Sequence, residues 1–177
     1  MRRSSLPVVA AVLFAAMQPA RAETAAPADS ARKQYSAKLR LLGDPDKGTT
    51  SVVSGVMKPF DAYLVASRDS TQHEISAVAF ALQLPDGILS VGEELLVEQL
   101  VALGSTKEGL NLVFRCVDGP SVRVLRFRFV ATRPLEDAVI ALGPDPRTHW
   151  LGVVSCRPEL FDKFDTEPAL LHVKVHP

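Results

Sequence analysis

Histidine, cysteine and tryptophan are all scarce in this chain, with four, two and one among 177 residues. The four histidines are His73, His149, His172 and His176. None sits at finger-like spacing from a cysteine, so a structural zinc site is not expected. His172 and His176 would lie about 13 Å apart along a strand, too far to share an ion. The chain also lacks a Gly-x-Ser-x-Gly elbow, a paired-histidine zinc motif and a phosphate-cradling glycine loop. No catalytic residue, metal or cofactor is therefore assigned. Eight Phe, two Tyr and one Trp are too few for a broad stacking platform. An excess of one charge is missing too. The 20 basic residues match 20 acidic ones, which argues against a general nucleic-acid binder.

One apolar run is conspicuous, and it is short. Met1-Arg2-Arg3 precedes Leu6 to Met17, and Ala20-Arg21-Ala22 follows. A basic start, a run of about a dozen apolar residues and a small-x-small end form a secretory signal peptide. A membrane span needs about 20 residues, and no later stretch approaches that. A buried N-terminal helix is the competing reading. Residues 1–22 are thus expected to leave, 23–34 to form a flexible leader rich in Ala, Pro, Asp and Ser, and 35–177 to form one domain. The mature chain would carry 17 basic against 20 acidic residues, a net of −3. It should be exported, to the periplasm or beyond.

In an oxidising compartment Cys116 and Cys156 are most simply a disulfide. It would close a loop of about 40 residues, stabilising by roughly 4 kcal/mol on the chain-entropy model. A reactive thiol or half a metal site are the alternatives.

From Tyr35 onward the chain reads as short strands punctuated by Gly, Pro and Asp turns. Nine are expected: 35–41, 50–56, 60–66, 75–84, 110–117, 122–131, 139–142, 151–156 and 170–175. Ile75 to Leu84 is nearly continuous apolar and suits the middle of a sheet. Residues 92–103 place Leu95, Leu96, Gln99, Leu100 and Leu103 at helical steps before Gly104. That segment is either a short helix or an irregular crossover carrying a short strand. In Val122 to Val130, the valines at 122 and 124 share one face while Phe127 and Phe129 take the other. A β-bulge near Val124-Leu125 would bring both sets inward and turn Arg126 and Arg128 to water. The fold class is all-β: an antiparallel jelly-roll or immunoglobulin-like sandwich of about nine strands.

Val78 to Leu89 runs as an apolar strand into Pro85-Asp86-Gly87 and back into the core. Leu125 to Ala131, Pro134 and Val139 to Leu142 follow as a closing strand pair. This order resembles the cohesin pattern. Leu39 to Asp44 and Pro59 to Val65 are similar to segments of small exported bacterial proteins sharing that sandwich. The resemblance implies a nine-stranded jelly roll related to carbohydrate-binding modules, with no catalytic residues. Cohesins bind dockerin modules through one sheet face, and no residue of that face is carried onto this chain.

The remaining candidates concern binding. Arg123, Arg126 and Arg128, with Arg115 on a neighbouring strand, could form a cationic stripe for an acidic protein or glycan, or simply a solvated face. Trp150, in Arg147-Thr148-His149-Trp150, could present a sugar-stacking face or pack at the core edge. Glu93-Glu94 read as solvated glutamates, and Asp44-x-Asp46-x-Gly48 as a turn rather than a calcium loop. The favoured reading is a non-catalytic binding or structural module of the envelope, taking a protein or glycan partner. The alternatives are an accessory or chaperone-like subunit using an exposed strand edge, and an enzyme with an unfamiliar site built around His149 and Asp145.

The export reading is checked by intact mass. Protein recovered from its native host should begin at Glu23; full-length chain in the cytosol would refute the cleavage.

Overall fold

The computed structural model describes residues 37–68, 74–156 and 163–177. These form twelve strands: β1 (Ala37–Leu42), β2 (Ser51–Gly55), β3 (Pro59–Arg68), β4 (Ile75–Gln83), β5 (Ile88–Leu95), β6 (Gln99–Ser105), β7 (Gly109–Val117), β8 (Ser121–Ala131), β9 (Leu135–Gly143), β10 (Gly152–Ser155), β11 (Lys163–Asp165) and β12 (Ala169–His176). The proposed signal peptide, the leader and His73 lie outside the described residues. Two sheets pack face to face. One has the order β1-β3-β8-β5, and the other runs β11-β10-β4-β9-β12-β2 with β7 and then β6 added beyond β4. Among the described residues no helix is long and apolar enough to cross a membrane.

The apolar run Ile75–Leu82 explains its own position. β4 has β7 on one side and β10, then β9, on the other. Flanked on both sides and covered on one face by the second sheet, the strand packs Ile75, Val78, Phe80 and Leu82 into the core. Ile75, Val78, Ala79, Phe80, Ala81 and Leu82 are all buried. The two sheets meet through aromatics. Phe80 of β4 contacts Phe127 of β8 edge-on, with ring centroids 6.4 Å apart. Phe127 stacks on Phe129 at 5.8 Å, and Phe129 meets Phe60 of β3 at 5.7 Å.

The register conflict in β8 is resolved by a bulge. Leu64 of β3 faces Leu125, but the next residue, Val65, faces Arg123. Val124 is the extra residue. Val122, Val124, Leu125, Phe127 and Phe129 consequently all point inward, each no more than 4 % exposed. A slip of one residue flips every later side chain to the other face, which is how one strand serves the core on both sides of the bulge.

All nine expected strands are present, and three more join them. The segment 92–103 is not a helix. Ile88–Leu95 pairs with β8, the chain crosses between sheets at 96–98, and Gln99–Ser105 pairs with β7. The leucines at helical spacing do not converge on a core: Leu95, Leu96, Leu100 and Leu103 are all exposed. Two ladders of main-chain bonds outweigh a local propensity of a few tenths of a kcal/mol per residue. The third additional strand, β11, is only three residues long.

β12 lies between β9, which it meets antiparallel, and β2, which it meets in parallel. Cys116 of β7 and Cys156, just after β10, are disulfide-bonded with Cα atoms 5.9 Å apart. The bond spans the start of β4 and joins its two neighbours.

Phe127→Ala should cost about 3–5 kcal/mol, as large core truncations do. Urea unfolding measures it, and a loss below about 1 kcal/mol would contradict the inter-sheet aromatic contact.

Candidate binding face

The bulge at Val124 sets which β8 side chains reach water. Arg123, Arg126 and Arg128 emerge on the outer face of the β1-β3-β8-β5 sheet, flanked by β3 and β5. Asp61 of β3 lies directly across from Arg128, and Glu94 of β5 across from Arg126. Arg128 Nε donates to Asp61 Oδ1 at 3.0 Å and its terminal nitrogen lies 3.4 Å from Oδ2. Arg126 pairs with Glu94 at 2.6 Å and approaches Asp61 at 4.0 Å. Arg123 pairs with Asp46 in the β1–β2 turn. The hydrogen bond that Arg128 donates to Asp61, followed by the Asp61 charge, raises the guanidinium above its usual range. Three cations thus alternate with three anions, and the face carries mixed charge rather than a cationic stripe. Such exposed pairs contribute little to stability.

Arg115 does not belong to this face. It lies on β7 of the other sheet and pairs with Glu98 at 3.0 Å. Beside Arg126 and Arg128 is a shallow hollow bordered by Val91, Gly92 and Glu94. Val91 and its neighbour Leu89 are more than half exposed. These two apolar contacts and Glu94 were missed in sequence because they depend on the β5–β8 register, and Asp61 because it depends on the β3–β8 register. The register itself carries a bulge between Ser90 and Gly92.

Trp150 lies elsewhere, in the 144–150 loop between β9 and β10. It is half-buried; it bridges to Asp145 through the backbone, and its indole N–H donates to Asp165 Oδ1 at 2.8 Å. The same loop holds a constellation the sequence did not disclose. Asp145 is fully buried. Its carboxylate accepts hydrogen bonds from Asn111 Nδ2 at 2.5 Å, Arg147 N at 2.9 Å, and the Arg147 guanidinium at 3.0 and 3.2 Å. Arg147 also donates to the carbonyls of Gly109 at 2.6 Å and Leu103 at 3.3 Å. The network fastens the β6–β7 hairpin to the β9–β10 loop. Gly109, at φ 104°, is required there, because a Cβ would collide with the Asp145 carboxylate. Asp145 is thereby committed to holding structure rather than to a pocket shared with His149.

The other candidates resolve simply. Thr106 Oγ1 donates to Glu93 at 2.5 Å, while Glu94 serves Arg126, so the two carboxylates do not face one substrate. Asp44 Oδ1 caps its own turn, accepting from the amides of Asp46 and Lys47 at 3.0 and 3.2 Å. His172 contacts Asp137 at 3.0 Å on the surface. Glu74 gathers with Cys116 and Cys156, but both sulfurs are engaged in the disulfide.

Solved structures of the same architecture decide the fold. The non-cellulosomal cohesin of the archaeon Archaeoglobus fulgidus superposes with a TM-score of 0.53 at 5 % identity, over 80 % of this chain and 92 % of that one. The sandwich is cohesin-like. The seventh ScaB type I cohesin from Pseudobacteroides cellulosolvens gives a TM-score of 0.54 at 9 % identity, over 80 % and 92 % of the two chains. The sixth cohesin of Acetivibrio cellulolyticus scaffoldin B, solved with a mutant dockerin bound, gives 0.54 at 8 % identity, over 80 % and 99 %. No family model and no curated protein matches the sequence. The cohesin likeness is one of fold, carried by the backbone and not by shared residues.

The Asp145 network makes a pH prediction. The hydrogen bonds from Arg147, its side chain foremost, lower the Asp145 carboxyl from 3.8 to about 2. A lowered acid stabilises the fold fully above its unfolded pKa and ceases to do so as pH falls through its folded pKa. Wild-type stability should therefore drop between about pH 4 and pH 2, and Asp145→Asn should lack that component. At neutral pH the variant should lose about 1–3 kcal/mol. Urea melts of both proteins across this range test it, and parallel pH profiles would exclude the network.

Proposed function

We propose that this chain is an exported, non-catalytic protein-binding module, and that its partner docks on the outer face of the β3-β8-β5 strands around Arg126 and Arg128. The observation that carries the reading is the juxtaposition, on that flat sheet face, of ionised side chains with the exposed Leu89 and Val91. Apolar contacts beside charged groups of both signs suit a protein surface, where charge pattern fixes the partner and register. The cohesin-like fold supports the same class, since one neighbour of that fold was solved holding a dockerin. The disulfide and the signal-peptide pattern of Met1 to Ala22 support export. A protein is favoured over a glycan because Trp150 is half-buried, ties its indole to Asp165 and lies in the 144–150 loop outside this face.

Arg126→Ser combined with Arg128→Ser should weaken association while leaving the melting temperature within a few degrees, as exposed substitutions do. A protein captured from envelope extract by the wild type should be released at about 1 M salt, where the Debye length is about 3 Å. Purified, it should titrate the wild type and not the double variant. Equal titration of both proteins at both salt concentrations would leave the arginines without a binding role.

A further inference from the structure

The open side edges of the two sheets differ in one respect. A two-fold axis through an edge strand brings each residue against a copy of its near neighbours, so like charges oppose like charges. β1 carries Lys38 and Arg40, and β5 carries Glu93 and Glu94 together with a bulge. Such features keep edges from pairing with copies of themselves. β2 and β11 are short, five and three residues. β6 also carries a bulge, between Gln99 and Val101, but its run from Val101 to Ser105 pairs with β7 in unbroken register and has no further protection. Its seven residues, Gln99 to Ser105, include no charge and no proline, and every one is exposed. Among the described residues β7 is its sole pairing strand.

We propose that β6 pairs antiparallel with β6 of a second copy of this chain, giving a two-fold dimer. This goes beyond the partner-binding reading and uses a different surface. The pleat permits the pairing. Val101 faces Val113 of β7 on the outer side, while Ala102 faces the buried Leu112 on the inner side. An axis through Ala102 sets Val101 opposite Leu103 of the other copy. Both are outer-side residues, so the apolar surfaces of the two sheets become continuous.

The area suffices. Leu96, Leu100, Val101, Leu103 and Val113 are 38–60 % exposed beside this edge. With the main chain of β6 they offer on the order of 500 Å² per copy, or about 1,000 Å² in all, where specific interfaces begin. Unpaired main-chain N–H and C=O groups of β6 gain partners besides. The Asp145–Arg147 network, fastened to Leu103 O and Gly109 O, holds the hairpin in place before pairing, which lowers the ordering cost.

Sedimentation of the mature protein from micromolar to submillimolar concentration tests this. The wild type should dimerise. Val101→Lys with Leu103→Lys should weaken the dimer at least about tenfold, since the axis opposes like charges. Val101→Glu with Leu103→Glu should do the same, and an equimolar mixture of the two variants should dimerise again. Arg126→Ser with Arg128→Ser should dimerise as the wild type does, which separates this surface from the partner face. A wild type that stays monomeric throughout, or charged variants that dimerise equally well, would overturn the proposal. Should either variant fail to fold, hydrogen exchange of the wild type decides: β6 amides must gain protection with concentration, and unchanged exchange counts against pairing.

Discussion

Strand β8 is asked to do two incompatible things with a side-chain period of two. It must bury Val122 and, further along, Phe127 and Phe129, which have opposite parity. One extra residue, Val124, settles the conflict by shifting the register against β3 between Leu64 and Val65. The same shift turns Arg123, Arg126 and Arg128 outward together. Without it, either Val122 and Val124 would face water and Arg123 the core, or the aromatics that join the two sheets would face water and Arg126 and Arg128 the core. A buried arginine without its partner costs several kcal/mol, so the bulge is enforced from both faces.

The side of the sandwich around β6 and β7 is organised by different physics. β7 is anchored in the core by Leu110, Leu112 and Phe114, but β6 is an edge strand with every residue exposed, so apolar burial does little to position it. A fully buried carboxylate does that work instead, gathering Asn111, Arg147 and the carbonyls of the hairpin. Polar networks of this kind specify one geometry because each member left unsatisfied is costly. The disulfide acts in parallel at the start of β4, linking strands that have no hydrogen bonds with each other.

The core was legible in the sequence because it obeys local rules. Turn residues bounded the strands, the continuous run at Ile75–Leu82 announced a central strand, and the parity conflict in Val122–Val130 announced the bulge. Segment 92–103 misled because Leu95, Leu96, Leu100 and Leu103 fall at helical steps by coincidence of two strands and a crossing. Exposed leucines carry no periodicity that burial would impose. The ion pairs of Arg126 and Arg128, and the burial of Asp145, were hidden for another reason. Apart from Arg147, two residues from Asp145, their partners are 32–67 residues away in sequence, and the pairing of distant strands, not spacing, brings them together.

The position of β12 has a temporal meaning. It fills the gap between β9 and β2, yet it is the last of the twelve strands to be synthesised. A nascent chain lacking it holds two strands with nothing to bridge them, and the parallel β2–β12 contact closes a loop of more than a hundred residues. Such non-local closure is slow. The larger sheet therefore stays open between β9 and β2 until β12 is in place, which makes the last of these strands the keystone of its folding.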